Sequence, residues 1–266
     1  MKAKNLGKKY MEIIKIFTES FKKDPNIIGI TLNGSIPRGT GDKYSEIDID
    51  FYVKSKKAQN LPPKNDINVN GVWFDFAIKE LKEEGRENWS MQKRWDCKHS
   101  KILFEKNKAI TNLFRKKVKF YDGEKEKIGY ELKIKTYWCI SLAEMFVERG
   151  DIVNAHLLIN ESLNSFVDYY FLKNNEFIPH YKWRYYYFQK LGKPSKQFKR
   201  KILDCYLIKN YSKKELYRRI KLLERATVKE GLKEKFYPYW SQDLNAMEKF
   251  SESFRKGIKY ESPWED

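Results

Sequence analysis

Cysteine is scarce in this sequence. Cys97, Cys139 and Cys205 are the only three, odd in number and far apart. That excludes a disulfide framework and a zinc-ribbon spacing. Long apolar runs are missing as well: nothing approaches the roughly 18 apolar residues of a membrane-spanning helix. Charges break every apolar stretch of the basic N-terminus, MKAKNLGKKYMEIIKIF, so a secretory h-region is absent. A soluble, cytoplasmic, globular protein is therefore expected, with no membrane partner. Acidic residues are also in deficit, with 36 Asp and Glu against 54 Lys and Arg, a net charge of +18. Such a surplus favours phosphates, nucleic acid or an anionic surface as partners and says little about fold. Disorder is excluded by what is plentiful: 41% hydrophobic and 16% aromatic residues supply the apolar surface that a disordered chain lacks.

No internal repeat or low-complexity linker divides the 266 residues, a length that allows one or two domains. Residues 8–22 place Tyr10, Ile13, Ile14, Phe17 and Phe21 on one helical face. Asp24-Pro25-Asn26 stops that helix. Ile27–Leu32 is a short apolar run and reads as a buried strand. From Glu46 to Val53 the chain alternates, with Glu46, Asp48 and Asp50 against Ile47, Ile49 and Phe51. Period two makes it a strand with one acidic and one apolar face. Ile67–Val69 and Val72–Ile78, joined by Asn70-Gly71, read as a hairpin on a type I′ turn. A helix is expected over 80–94 and a strand over Lys101–Phe104. After about residue 125 helical periods take over, at 131–149, 152–172, 183–191, 195–208, 212–230 and 240–256. In the second of these Ala155, Ile159, Leu163, Phe166 and Tyr170 share a face. The expected fold class is α+β: a mixed-sheet domain, residues 1–125, followed by a helical-bundle domain, residues 126–266.

The segment that carries chemistry runs from Gly34-Ser35 through Arg38, Gly39, Gly41 and Ser45 to Glu46-Ile47-Asp48-Ile49-Asp50. A Gly-Ser turn lets backbone N–H groups approach a triphosphate with no Cβ in the way. Carboxylates two residues apart project from one strand face and can share Mg²⁺, which prefers hard oxygen ligands and bridges to phosphate. Two such ions activate an attacking hydroxyl and stabilise a leaving pyrophosphate. Asp75 is the only acid within the apolar stretch Val72–Phe76 and would be costly to bury without partners. It is the candidate third ligand or general base. A P-loop is rejected, because Gly34-x4-Gly39 lacks the Gly-Lys-Ser/Thr ending.

This constellation resembles the nucleotidyltransferase superfamily of the DNA polymerase β type, whose signature is Gly-Ser, a spacer, then acidic-apolar-acidic. The nearest likeness is to the kanamycin and lincosamide antibiotic nucleotidyltransferases and to the minimal nucleotidyltransferases. Ten residues separate Ser35 from Glu46, which is similar to the spacer of the aminoglycoside members. On that register the resemblance implies Glu46 and Asp48 as the metal pair. Two departures stand out: the first acid is Glu rather than Asp, and Asp50 adds a further acid on the same face. A slip of two residues makes the pair Asp48 and Asp50, so Asp48 belongs to both readings. The resemblance is specific over roughly 27–80 and architectural beyond.

In the helical half, Pro179-His180-Tyr181-Lys182-Trp183 is similar to a Pro-x-x-Lys-Trp element of related families. Lys182 is thereby a candidate to reach the triphosphate, with Gly34, Ser35, Arg38 and Ser45. Trp183 is expected to start a helix and be buried. His99, His156 and His180, widely separated, read as surface or packing residues. The resemblance implies transfer of AMP, or another NMP, from ATP or another NTP to a hydroxyl of an aminoglycoside- or lincosamide-like acceptor, with Mg²⁺ on the carboxylates. Alternatives are an RNA or tRNA end, favoured by the charge, and AMP transfer to a protein in a toxin–antitoxin pair.

Overall fold

The computed structural model describes residues 3–229 apart from 60, 63, 65 and 70. The helix expected over 240–256 lies outside the described residues. The chain opens with helix α1 (Ala3–Glu19), then strands β1 (Ile27–Leu32), β2 (Ile47–Val53), β3 (Ile67–Val69) and β4 (Val72–Glu80). Helices α2 (Leu81–Arg86) and α3 (Met91–Lys98), strand β5 (Lys101–Glu105) and helix α4 (Ala109–Lys117) follow. The remainder is helical: α5 (Glu124–Glu148), α6 (Ile152–Lys173), a 3₁₀ turn at Tyr181–Trp183, α7 (Arg184–Phe188), α8 (Lys196–Tyr206) and α9 (Lys213–Lys229). The fold is α+β, with the sheet built before residue 125 and, among the described residues, only helices as regular elements after it. Among the described residues no helix is long and apolar enough to cross a membrane.

The five strands form one mixed sheet in the order β3-β4-β2-β1-β5. β1 pairs antiparallel with β2 and with β5, β3 pairs antiparallel with β4, and β2 runs parallel to β4. Alternation in β2 divides its side chains between the two faces. Ile47, Ile49 and Phe51 join Ile30, Leu32, Phe74 and Phe76 beneath α1, where Tyr10 and Ile14 are buried and Phe17 and Phe21 partly so. Phe17 stacks on Phe76 at 5.0 Å between ring centroids. Asp48, Asp50 and Tyr52 point to the other face. Tyr52 is covered there by Trp89, Cys97, Ile110 and Leu113. The Asp48 end of that face is left open to a cavity.

Two local expectations change. The helix read over 80–94 is two helices. Trp89 turns inward, its indole N–H donating to the Glu84 carbonyl at 3.2 Å, and Ser90 caps a fresh helix by accepting from the Lys93 N–H at 3.2 Å. Helix α4 was not anticipated, because its apolar contribution is small: Ile110 and Leu113 buried amid Arg115, Lys116 and Lys117. The Lys117 ammonium is nonetheless drawn inside, donating to the Glu87 carbonyl at 2.7 Å.

The chain divides into two compact units that do not follow sequence order. The first holds the sheet, residues up to 134, together with residues 163–203; the second holds 135–162 and the described residues from 204 on. In the first unit Phe177 meets Phe120 at 4.6 Å. The buried Arg94 guanidinium grips Glu124 through both of its terminal nitrogens and also donates to the Lys119 carbonyl at 2.8 Å. In the second unit Arg219 is fully buried and donates to three uncharged acceptors: the Cys205 carbonyl and Asn160 Oδ1, both at 2.6 Å, and His156 Nδ1 at 2.8 Å.

Candidate active site

β1 ends at Leu32, and the Asn33 N–H donates to the Asp48 carbonyl at 2.8 Å, tying the following loop to β2. Gly34 then adopts a φ of +72°, and a Cβ added to it would sit 1.7 Å from Asp48 Oδ2. The turn therefore needs glycine twice over, for its left-handed backbone and for the carboxylate pressed against it. The Ser35 carbonyl closes the loop by accepting from the Thr40 N–H at 3.0 Å and the Thr40 hydroxyl at 3.2 Å. Ser45 is held by Asp42: the Asp42 N–H donates to the serine hydroxyl at 2.9 Å, which in turn donates to Oδ1 of the same aspartate at 3.2 Å.

The loop, β2 and β4 border a cavity of about 610 Å³ within the first unit. Every residue nominated from the sequence lines it: Gly34, Ser35, Arg38 and Ser45 on the loop, Glu46, Asp48, Asp50 and Asp75 on or beside the strands, and Lys182 in the 3₁₀ turn. The parallel register sets Asp48 opposite Asp75. Burial pushes the Asp48 carboxyl up to about 7, with the Glu46 and Asp75 carboxylates adding to the rise and Arg38 and Lys182 opposing it. Burial likewise raises Asp75, helped by the nearby Asp66, Glu46 and Asp50 carboxylates and a hydrogen bond with Asp66.

The nominated residues are not equivalent. Glu46 is exposed, just before β2. Asp50 is buried and receives the Lys79 ammonium at 2.5 Å, so its charge is already matched. Arg38 has a side chain only 4% exposed, donates to Asp96 at 3.1 Å and lies over the Trp95 and Trp183 rings at 4.7 and 5.5 Å. Its Nε is buried without a protein partner, as are Trp183 Nε1 and His180 Nδ1. All three residues line the cavity. Trp183 therefore belongs to the site wall rather than to a helical core, and His180 joins it there.

Sequence reasoning missed Asp66, Lys79 and Asp96. Asp66 lies just before β3, and only the β3–β4 register brings it to Asp75. Lys79 lies four residues beyond Asp75 on the same face of β4, a spacing that could have been noticed. Asp96 had no sequence signal.

The donor set suits a hard divalent cation: carboxylate oxygens on neighbouring strands, both with proton affinity raised by burial first and by like-charged neighbours second. Among the described residues no three His, Cys, Asp or Glu side chains converge as a closed metal site would. A cation held here by Asp48 and Asp75 would complete its shell with water and phosphate oxygens, the habit of Mg²⁺.

No protein-family model matches the chain, and no curated protein matches it in sequence. Among solved structures, the crystal structure of a nucleotidyltransferase-like protein from Exiguobacterium sibiricum 255-15 is similar, with a TM-score of 0.50 at 12% identity over 95% of this chain and 94% of that one. At that identity the likeness establishes fold: a mixed sheet followed by helices, arranged as in a nucleotidyltransferase-like protein.

Proposed function

We propose that the chain is a nucleotidyltransferase that moves a nucleoside monophosphate, AMP in the first instance, from a triphosphate to a hydroxyl acceptor. The observation that carries the reading is Asp48, pressed against Gly34 and set in register beside Asp75 in a cavity of about 610 Å³. A glycine turn, two facing carboxylates and cationic side chains are what an incoming triphosphate requires.

In this reading the loop backbone around Gly34 and Ser35 takes the phosphates, and Lys182 supplies a countercharge from across the cavity. Arg38 also lowers the local negative potential, though its guanidinium is anchored on Asp96. Asp48 and Asp75 would hold Mg²⁺, which when bound would offset charge developing on the phosphates, while the exposed Glu46 adds negative potential beside them. Asp50, neutralised by Lys79, supports the strand instead of binding the ion. Asp75 accepts the acceptor's hydroxyl proton, a role suited to a carboxylate raised above its ordinary range and worth about 10²–10⁴ in rate. The acceptor oxygen bonds to the α-phosphorus as the bond to pyrophosphate breaks. The resemblance points to a small, hydroxyl-rich acceptor of the aminoglycoside or lincosamide kind.

The test is pyrophosphate release from ATP and Mg²⁺ across a panel of hydroxyl acceptors, with Asp48→Asn as control. Release that depends on acceptor and disappears in the variant supports the reading. Equal release by both proteins refutes it.

A further inference from the structure

Between Glu176 and Asp204 the chain carries no acidic residue but eight lysines and arginines. Two of these cations have internal partners: Arg184 pairs with Asp168 at 2.6 Å, and the buried Lys199 donates to the Gln189 and Leu191 carbonyls. The other six, Lys182, Lys190, Lys193, Lys196, Arg200 and Lys201, are exposed and enter no ion pair among the described residues. Lys199 serves to hold the loop after α7 against α8, and Lys196 and Arg200 share one face of α8 by their spacing of four.

Aromatic rings lie among these cations. Tyr181 is 73% exposed and Tyr186 is 42% exposed. Trp183, at the catalytic cavity, is 5.8 Å from Tyr186 and 6.3 Å from Tyr187. Tyr187 meets Trp95 and His99 at 5.1 and 6.1 Å. Those three rings, with Lys190, help line a second cavity of about 240 Å³, also in the first unit. The Lys190 ammonium sits 4.2 Å above the Tyr186 ring. A file of rings thus links the two cavities, flanked by unpaired cations.

We propose that α7, α8 and the 3₁₀ turn before them form a track for unpaired nucleic acid, its bases stacking on Tyr186 and its neighbours and its phosphates meeting the lysines. Stacking on accessible rings beside a cationic groove is how single strands bind without sequence preference. A duplex offers phosphates but no free base faces, so charge alone would bind it less well. Strand binding itself requires no transfer.

The test is fluorescence anisotropy of the full chain with a labelled single-stranded RNA oligonucleotide, the DNA strand of the same sequence, and its duplex, between about 50 and 200 mM salt. Single strands of either sugar should bind more tightly than the duplex, and affinity should fall steeply with salt. Tyr186→Ala should weaken single-strand binding about tenfold, and Tyr186→Phe should restore it. The combined Lys190→Gln, Lys193→Gln and Lys196→Gln change should lower the log–log salt slope by roughly 2. Circular dichroism melts confirm that each variant is folded. Asp48→Asn separates the two claims, since it should keep strand binding while losing transfer. Wild-type binding in the Tyr186 and lysine variants overturns the track. So does a preference for duplex, or binding only to anionic phosphatidylglycerol vesicles.

Discussion

Gly34 is where backbone and chemistry meet most tightly. Its left-handed φ costs an alanine about 1 kcal/mol, and the added Cβ would displace Asp48 Oδ2. Gly34→Ala should therefore lower the melting temperature by only a few degrees yet reduce turnover at least a hundredfold; steady-state kinetics beside a thermal melt will read both. Asp48 carries a pH signature. Its carboxyl is held near 7 in the folded chain against an ordinary 3.8, so the folded state binds the proton more tightly than the unfolded one. The stabilisation is complete below about pH 4 and is lost as pH rises through 7. Without metal, Asp48→Asn should accordingly melt higher than the wild type at pH 8, with the advantage gone near pH 4. Mg²⁺ should raise the melting temperature of the wild type at pH 8 and leave the variant nearly unmoved. A melt in which Asp48→Asn is the less stable protein at pH 8 would contradict a charge held out of water at Asp48. Much at this scale was legible in the sequence. Alternation fixed which face Asp48 takes, and the Gly-Ser turn at its distance fixed what that face meets. Asp66 and Asp96 were not legible: Asp66 meets Asp75 only through the β3–β4 pairing, and Asp96 reaches the cavity by packing between segments distant in sequence.

Elements with a strong period were readable and those with special ends were not. β1 runs from Ile27 to Leu32 as expected, and the buried face of α6 is the predicted one, with Ala155, Ile159, Leu163, Phe166 and Tyr170 all inside. The break between α2 and α3 escaped because it is made by a Trp turning inward and a Ser cap, each weaker as a signal than the apolar spacing around it. In the second unit α6, α8 and α9 meet at Arg219, whose fork reaches three acceptors. Lysine cannot span them. Arg219→Lys should cost about 3 kcal/mol in denaturant unfolding, more than Arg219→Met, because it leaves a charge buried without its fork of bonds. His156 receives the guanidinium on Nδ1, and protonation there would set donor against donor. Burial and Arg219 depress its affinity for the proton, so the unfolded chain binds the proton more readily. The stability His156 contributes is present above its ordinary value of about 6.5 and falls away as pH drops below it. His156→Gln should flatten the loss of stability between pH 7 and 5, and an NMR titration should place the imidazole below the usual range.

At the scale of the whole chain, composition read correctly for a basic, folded protein, but the division into units could not be read from it. A boundary at 125 marks where strands cease, whereas the first unit also takes residues 163–203. Periodicity reports which residues of a helix are buried and says nothing of which partner buries them. A fragment ending at residue 125 would lack Phe177 against Phe120 and the Glu176 partner of Lys98, and its site would lack Lys182 and Trp183. Such a fragment should show no cooperative melt, while a fragment extended to residue 203 should recover part of one. The interleaving also bears on how the protein is made. Residues 27–105 supply every strand of the sheet early in synthesis, but the wall carrying His180, Lys182 and Trp183 follows only after the chain has passed through α5 and α6. At about 5–20 residues per second, several seconds pass between the last strand and that wall, and the strands wait that long for the contacts that complete their unit. Until then the nascent chain has its carboxylates and Arg38 but not Lys182, so the cavity gains its full set of opposing charges only after residue 182 is made.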